Sequence, residues 1–455
     1  MQTISACAYS YDVTTISNYS ITLWDSLKYE IINIQEEDLA EEALEALSAI
    51  AVKLSYGASS AESQSPLARY LRPITTECNE HLHAPQHKQA KPAGQILKSL
   101  GSASPSAFFL VVKAVLPPIL ILYQDADGIA KQRALLEVVW QILESAMSFY
   151  GTLNSTTAFP RLDNPLVSFK DRLFEMNSQA LMSTAKEEIS FRVVATKCLV
   201  LLSSIRGLLQ ENEIGMAVQY FDEIVLLEDH SGRDDLKHEA IQALVKISRI
   251  KPALIMDITF PAFMARLPDI SSPANCEYLT NLEGLALLSV ERATSNTLIR
   301  RLLSKLDVVL QNGGTAAYPQ AILSSLHYVL SQRDLANDTN LHSYFQKIVV
   351  TLSCRTGLAA SGHTSLTALN EESTLEILGR ILTLIVRALS PHEQQSAATQ
   401  TYTLFTEEGK MTPVPFNRDP STTRALRRTM ILSTHLLAGF NRKVNPSTYH
   451  RYRKY

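Results

Sequence analysis

The sequence predicts an all-α chain, a HEAT/armadillo-like α-α superhelix (solenoid). Three observations carry that reading. Apolar residues recur at spacings of three and four, the period of a helix face, in one segment after another. Glycine and proline are scarce, 16 and 19 in 455 residues, well under the ~12% of average usage, which favours long uninterrupted elements over turn-rich β structure. No segment sustains the two-residue alternation of a half-buried strand. With 46% apolar residues the chain has ample material for a core.

The period yields about seventeen helices of roughly 12–22 residues. The clearest span 37–55, 86–100, 127–149, 188–206, 234–250, 296–311, 372–389 and 424–440. The first has Asp38 as its N-cap and acids in its first turn, where they complement the helix dipole, and Gly57 as its stop. Pro66, Pro165, Pro252, Pro319 and Pro391 sit near helix beginnings, where a missing N–H costs nothing. Longer breaks fall at Gly57–Ser65, Gly151–Asn164 and Arg355–Thr367, the second being the expected insertion loop.

The helices repeat internally. From Arg133, positions +3, +7 and +10 are Leu136, Trp140 and Leu143. From Arg192 they are Ala195, Leu199 and Leu202; from Lys237, Ala240, Leu244 and Ile247. Ala43, Leu47 and Ile50 give the same face without a basic leader. These offsets put three apolar side chains on one side of each helix, and a recurrence of about 40–47 residues is the spacing of HEAT repeats. One helix pair cannot bury such a stripe, whereas stacked pairs share a continuous core. The expected organisation is an N-terminal end at 1–20, cut within the array, a solenoid over 21–440 with an insertion near 151–165, and an irregular basic tail at 441–455.

The formal charge of −3 gives no general pull toward nucleic acid or anionic membrane. The most apolar stretch, Phe108–Tyr123, contains Lys113 and Pro117–Pro118, which argues against a membrane span. No charged n-region followed by an apolar stretch opens the chain, so secretion is not expected. Five scattered cysteines, Cys7, Cys78, Cys198, Cys276 and Cys354, fit reduced thiols in cytosol or nucleus, and Cys198 in KCLVLL reads as buried.

Catalytic signals are weak: there is no phosphate-binding GxxxxGK[ST], no GxGxxG after a strand, no HExxH and no GxSxG. One metal constellation needs weighing, Cys78, His81, His83 and His87 in CNEHLHAPQH. A thiolate and neutral imidazoles suit zinc, but Ala84–Pro85 ends the helix between the histidines, so a polar interhelix turn is favoured. The acidic run Gln35–Glu45 reads as the solvated start of a helix rather than a docking face. From Ser421 to Tyr455 there are eight Lys or Arg (Arg424, Arg427, Arg428, Arg442, Lys443, Arg451, Arg453, Lys454) and no acid. With Tyr449, Tyr452 and Tyr455 this could touch nucleic acid, but a further repeat helix followed by a frayed end is favoured. No catalytic, cofactor-binding or metal residue is assigned.

Particular strings add to the period. SITLWDSLKYEI (Ser20–Ile31), HKQAKPAGQILKSLGSASPSAF (His87–Phe108), LPPILILYQDADGIAKQRALLEVV (Leu116–Val139), NLEGLALLSVERAT (Asn281–Thr294) and TPVPFNRDPS (Thr412–Ser421) together resemble fungal members of the methyl-methanesulfonate-sensitivity family of HEAT-repeat DNA repair and transcription proteins. The likeness runs from about Ser10 to about Phe440. It implies a non-enzymatic targeting adaptor of the cytosolic iron–sulfur assembly machinery, in nucleus and cytoplasm. Such an adaptor joins a complex with WD-propeller and DUF59-type subunits to apo-clients such as DNA helicases and polymerases, with indirect effects on excision repair and transcription. It need hold no cluster or other cofactor itself, and neither direct nucleic-acid nor membrane binding is expected. Family members are longer, so the chain is expected to start within the array and to stop before the C-terminal repeats, with Asn441–Tyr455 not continuing the helical pattern and terminal repeats lacking polar caps. Other HEAT scaffolds, such as a transport receptor or phosphatase scaffold, suit the same helical physics. A metal-dependent enzyme built on Cys78 is the remaining alternative.

Overall fold

The structure is a computed structural model that describes residues 2–33, 37–56, 65–85, 89–152, 164–183, 186–228, 235–270, 277–289, 291–335, 339–360, 368–369, 371–406, 431–432 and 434–440. Among these no strand forms. The only extended pairing among them is an isolated antiparallel bridge between Gly151 and Ile205. The chain divides into two units, 1–251 and 252–455.

The first unit is built from α1 (Gln2–Ser10), α2 (Val13–Asn33), α3 (Glu37–Ser55), α4 (Pro66–Leu82), α5 (Ala90–Ala103), α6 (Pro105–Gln124), α7 (Ile129–Tyr150), α8 (Lys170–Leu181), α9 (Ile189–Ser204), α10 (Glu211–Leu227) and α11 (Asp235–Ile250). One 3-10 turn, Pro165–Phe169, leads into α8. Two rows form. α3, α5, α7, α9 and α11 each pack on the next, and α2, α4, α6, α8 and α10 pair with them from the other side. This is the HEAT/armadillo-like arrangement expected.

The row is held by the apolar triplets. Ala43, Leu47 and Ile50, Leu136 and Leu143, Ala195, Leu199 and Leu202, and Ala240, Leu244 and Ile247 are all buried. Trp140 is half-buried, with the Lys197 ammonium 5.5 Å from its ring centroid. A further triplet with the same 4,3 spacing, Ala93, Leu97 and Leu100 of α5, is also buried. Its leader is Ala90, so a search keyed on a basic leader passes over it. Polar ties run along the row: Ser99 Oγ donates to the Leu44 carbonyl at 2.7 Å, and Lys98 meets Glu144 at 2.7 Å. Beside the Gly151–Ile205 bridge, Arg206 N–H donates to the Tyr150 carbonyl at 2.7 Å.

α6 is long and apolar enough, by length and composition alone, to cross a membrane. Its apolar residues are accounted for otherwise: Phe108, Val111, Val112, Val115, Leu116 and Ile119 are fully buried, and the helix packs on α4, α5 and α7. The helix continues through both Pro117 and Pro118. Proline removes an i→i−4 hydrogen bond, which for Pro118 leaves the Ala114 carbonyl without its helical donor. The Asn79 side chain, from α4, donates to that carbonyl at 3.1 Å.

Arg192, the basic leader of α9, is 1% exposed. Its guanidinium forks onto Glu228 at 2.7 and 2.6 Å, and its Nε donates to the Leu181 carbonyl at 2.7 Å. It therefore ties the C-terminal ends of α8 and α10 to the start of α9. The leader of α7, Arg133, plays another part: it donates to Ser190 Oγ at 3.0 Å on the outer surface.

The second unit repeats the plan. It contains α12 (Pro252–Leu254), a π turn at Ile255–Thr259, α13 (Phe260–Ala265), α14 (Glu277–Leu288), α15 (Arg292–Asn312), α16 (Ala317–Leu335), a 3-10 turn at Thr339–Tyr344, a π turn at Phe345–Val350, α17 (Thr351–Ala360), α18 (Glu372–Arg387) and α19 (Pro391–Thr406). α14, α16 and α18 pack in a row, with the Tyr278 and Tyr318 rings 4.5 Å apart between the first two. A further helical stretch at 434–439 lies on α18, where Thr383 Oγ1 donates to the His435 carbonyl at 2.8 Å. The approach there is close: a Cβ on Gly379 would come within 2.2 Å of the His435 ring.

Boundaries differ from the expected ones in instructive places. α5 starts at Ala90 rather than 86 and runs on to Ala103. α15 starts four residues earlier than expected, behind Glu291. The break expected from Arg355 begins later, because α17 continues to Ala360. The π turns and the short α12 and α13 were not foreseen. Most of the expected insertion loop, most of Gly57–Ser65 and residues 424–430 lie outside the described residues.

Two substitutions test this packing. Arg192→Ala removes both short bonds to the Glu228 carboxylate, 11% exposed, leaving it Lys186 at 3.7 Å, and an expected loss of ~3–5 kcal/mol is measured by denaturant unfolding. Ala240→Asp inserts an unpaired charge at a position with no exposure; a drop of about 3 kcal/mol or more is expected in the same assay.

Candidate interaction surfaces

In a stacked helical array, ligand contacts fall on the side chains left outside the row packing. In the first unit a groove of about 1190 Å³ crosses the exposed starts of three consecutive row helices. α7 contributes Arg133 and Glu137. The approach to α9 contributes Glu187 and Glu188, and α11 contributes Asp235, His238 and Glu239. Its floor is apolar, formed by half-buried Ile189, Val193 and Val194. Each of these positions follows from the repeat. The face that carries the buried triplets points into the row, so residues about half a turn round the same helices point out. Helix starts also favour acids, which explains Glu188 as N-cap of α9 and Asp235 in the first turn of α11.

The lining is electrically lopsided. Five carboxylates face one guanidinium, and that guanidinium is already occupied, with Arg133 Nε 3.4 Å from Glu137 and Nη1 on Ser190. Carboxylates gathered over an apolar floor hold a cation-bearing segment by charge complementarity, while the floor takes the aliphatic stems of its lysines or arginines.

The metal constellation weighed from the sequence is not brought together. Cys78 lies on the buried side of α4, and burial pushes its thiol far above the usual range, which disfavours a thiolate. His81 is half-buried, His83 is exposed as the C-cap residue, and His87 lies outside the described residues. Among the described residues no three His, Cys, Asp or Glu side chains are placed to share a metal ion. Cys198 is buried as expected; burial raises its thiol as well, and its Sγ lies 3.7 Å from the Leu136 carbonyl. The acidic run on α3 is solvated, with Glu37, Asp38, Glu41 and Glu45 exposed. Of the basic C-terminal stretch only 431–432 and 434–440 are described, none of them Lys or Arg.

With this geometry in hand, comparison with known proteins is informative. Residues 281–453 match the family described as RNAPII transcription regulator C-terminal, MMS19_C. The DNA repair/transcription protein mms19 of Schizosaccharomyces pombe is 27% identical over 72% of this chain and 32% of its own length. This chain is similar to the MMS19 proteins. The MMS19 nucleotide excision repair protein homolog of Xenopus tropicalis is 25% identical over 89% of this chain and 40% of its own length. The MMS19 DNA repair/transcription protein of Saccharomyces cerevisiae is 22% identical over 54% of this chain and 24% of its own. The chain thus spans about a third to two fifths of the first of these curated relatives. The MMS19_C match extends to residue 453, and the tail expected at 441–455 lies outside the described residues. Among solved structures, importin β aligns with 96% of this chain and 54% of its own, at 14% identity and a TM-score of 0.42.

Two measurements check these surfaces. Maleimide labelling of the native protein, mapped by peptide mass spectrometry, should modify the partly exposed Cys7 and spare Cys78 and Cys198 until denaturant is added. A fluorescent lysine-rich peptide should bind the native chain in a salt-sensitive manner, and the double substitution Glu188→Lys/Glu239→Lys should weaken it by about tenfold in anisotropy titrations.

Proposed function

We propose that this chain is part of a DNA repair and transcription protein acting as a non-enzymatic adaptor of the cytosolic iron–sulfur protein assembly machinery. The observation that carries the reading is the continuous likeness to MMS19 proteins, which reaches 89% of this chain in the Xenopus tropicalis relative. The relatives are named for DNA repair, excision repair and transcription. The adaptor role is the finer step. It is supported by the architecture, two units of stacked helices whose grooves offer binding surface rather than a catalytic constellation among the described residues.

The mechanism of such an adaptor is colocalisation. One surface holds assembly subunits of the WD-propeller and DUF59 types, and another holds an apo-client such as a helicase or polymerase. Binding both raises the effective concentration of donor for acceptor without any new chemistry. Repair and transcription then depend on it indirectly, through maturation of their iron–sulfur enzymes, and the protein works in both nucleus and cytoplasm. The cluster is cargo in this scheme.

The deciding experiment is affinity capture of the intact protein from cells, combined with its depletion. Recovery of both assembly subunits with iron–sulfur helicases is expected, together with a several-fold fall in radio-iron incorporation into a helicase on depletion. Recovery of a nucleocytoplasmic transport GTPase instead, with iron incorporation unchanged, would mark a carrier and end the adaptor reading.

A further inference from the structure

In the second unit, one stripe of α15 is left outside the row packing. Thr297, Arg300, Arg301, Ser304, Lys305 and Val308 recur at intervals of three and four, so they share one face over about three helical turns. With Met264 of α13 they line a groove of about 530 Å³ whose wall is mainly apolar. Val308 is 40% exposed, so the apolar side of the groove is open to a partner's side chain.

The three cations of this stripe are held differently. Phe260 N–H donates to the Ile255 carbonyl in π register. The next donor in that register would serve the Met256 carbonyl, but the residue there is Pro261, which has none. Arg301 Nη2 reaches that carbonyl at 3.3 Å. Lys305 Nζ donates to the Leu267 carbonyl at 2.8 Å, just past the end of α13, and meets Asp269 at 2.6 Å. Both charges are therefore fixed at the groove by backbone carbonyls, which do not neutralise them. Arg300 is exposed and folds back on its own helix, with Nε to the Asn296 carbonyl at 3.3 Å and Nη2 to Thr297 Oγ1 at 3.5 Å. It makes no ion pair among the described residues. Asp269 is the one carboxylate paired here, and its side chain is 72% exposed, where an ion pair contributes little.

We propose that this groove docks an acidic peptide segment of a partner protein, with the segment's carboxylates on Arg300, Arg301 and Lys305 and one of its apolar side chains between Met264 and Val308. Charge complementarity selects the sign of the partner. The apolar wall selects a peptide over a nucleic-acid backbone, which would use the cations and leave Met264 and Val308 unpaired. Pre-fixed cations lower the ordering cost of binding. The inference is read from α13 and α15 alone and does not depend on the adaptor reading.

The test uses the whole chain and a fluorescein-labelled peptide with Glu and Asp on one helical face and Leu and Phe on the other. Anisotropy titrations should show binding that weakens as salt rises. Arg300→Glu should weaken it by about tenfold or more, and Val308→Ser by a few-fold. Both side chains are exposed, so circular dichroism and the thermal midpoint should not change, and the α3 surface is not involved. Two outcomes overturn the proposal. One is peptide affinity indifferent to Arg300→Glu. The other is an all-Glu peptide or a single-stranded oligonucleotide binding as tightly as the amphipathic peptide with the same sensitivity to Arg300→Glu, which would assign the stripe to bare anion or nucleic-acid binding.

Discussion

Everything in the first unit depends on a helix with a one-sided apolar stripe having nowhere to bury it except against the next helix of its row. The 4,3-spaced triplets from Ala43 to Ile247 are this constraint made visible. Small residues begin most of them, Ala43, Ala93, Ala195 and Ala240, which lets neighbouring backbones approach, and larger residues one and two turns on fill the space between. The hydrophobic term is non-directional, so it aligns the stripes without choosing partners at helix ends.

Partner choice at the ends comes from hydrogen bonds, and those follow from strict backbone accounting. Where a proline removes a donor, a side chain from a neighbouring element supplies one: Asn79 for the Ala114 carbonyl in α6, Arg301 for the Met256 carbonyl before Pro261. Each repair joins two elements that the apolar stripe alone would leave free to slide. Irregular backbone in this fold is thus a source of register, and in the second unit it also anchors charge at a surface groove.

The all-α class and the repeat were legible because periodicity is local: residues 37–55 and 235–250 announce themselves without knowledge of what they touch. Irregularities were not legible, because they arise from contacts distant in sequence. Nothing near Pro117–Pro118 says that Asn79 will cap the gap, and nothing near Pro252–Ala265 announces a π turn. The basic leaders illustrate the limit further. Arg133 and Arg192 occupy the same repeat position, yet one is exposed and the other is buried on Glu228, a residue of a different helix pair. Surface grooves were equally hidden. Glu137, Glu188 and Glu239 are dispersed in the sequence and meet only once the row is stacked, whereas the contiguous acids of α3, conspicuous in the sequence, are merely solvated. The histidines near Cys78 mislead for the converse reason: closeness along the chain did not bring them to one point.

The Arg192 fork has a mechanical corollary. Most junctions in the row are greasy contacts that tolerate small rotations, so an elongated array can flex a little at each. At α8–α9–α10 a guanidinium clamps two helix ends at once, through three short bonds shielded from water. That segment behaves as a rigid splice. Bending of the first unit under load has to be absorbed on either side of it, and whatever is carried on the neighbouring outer surfaces is displaced as one block.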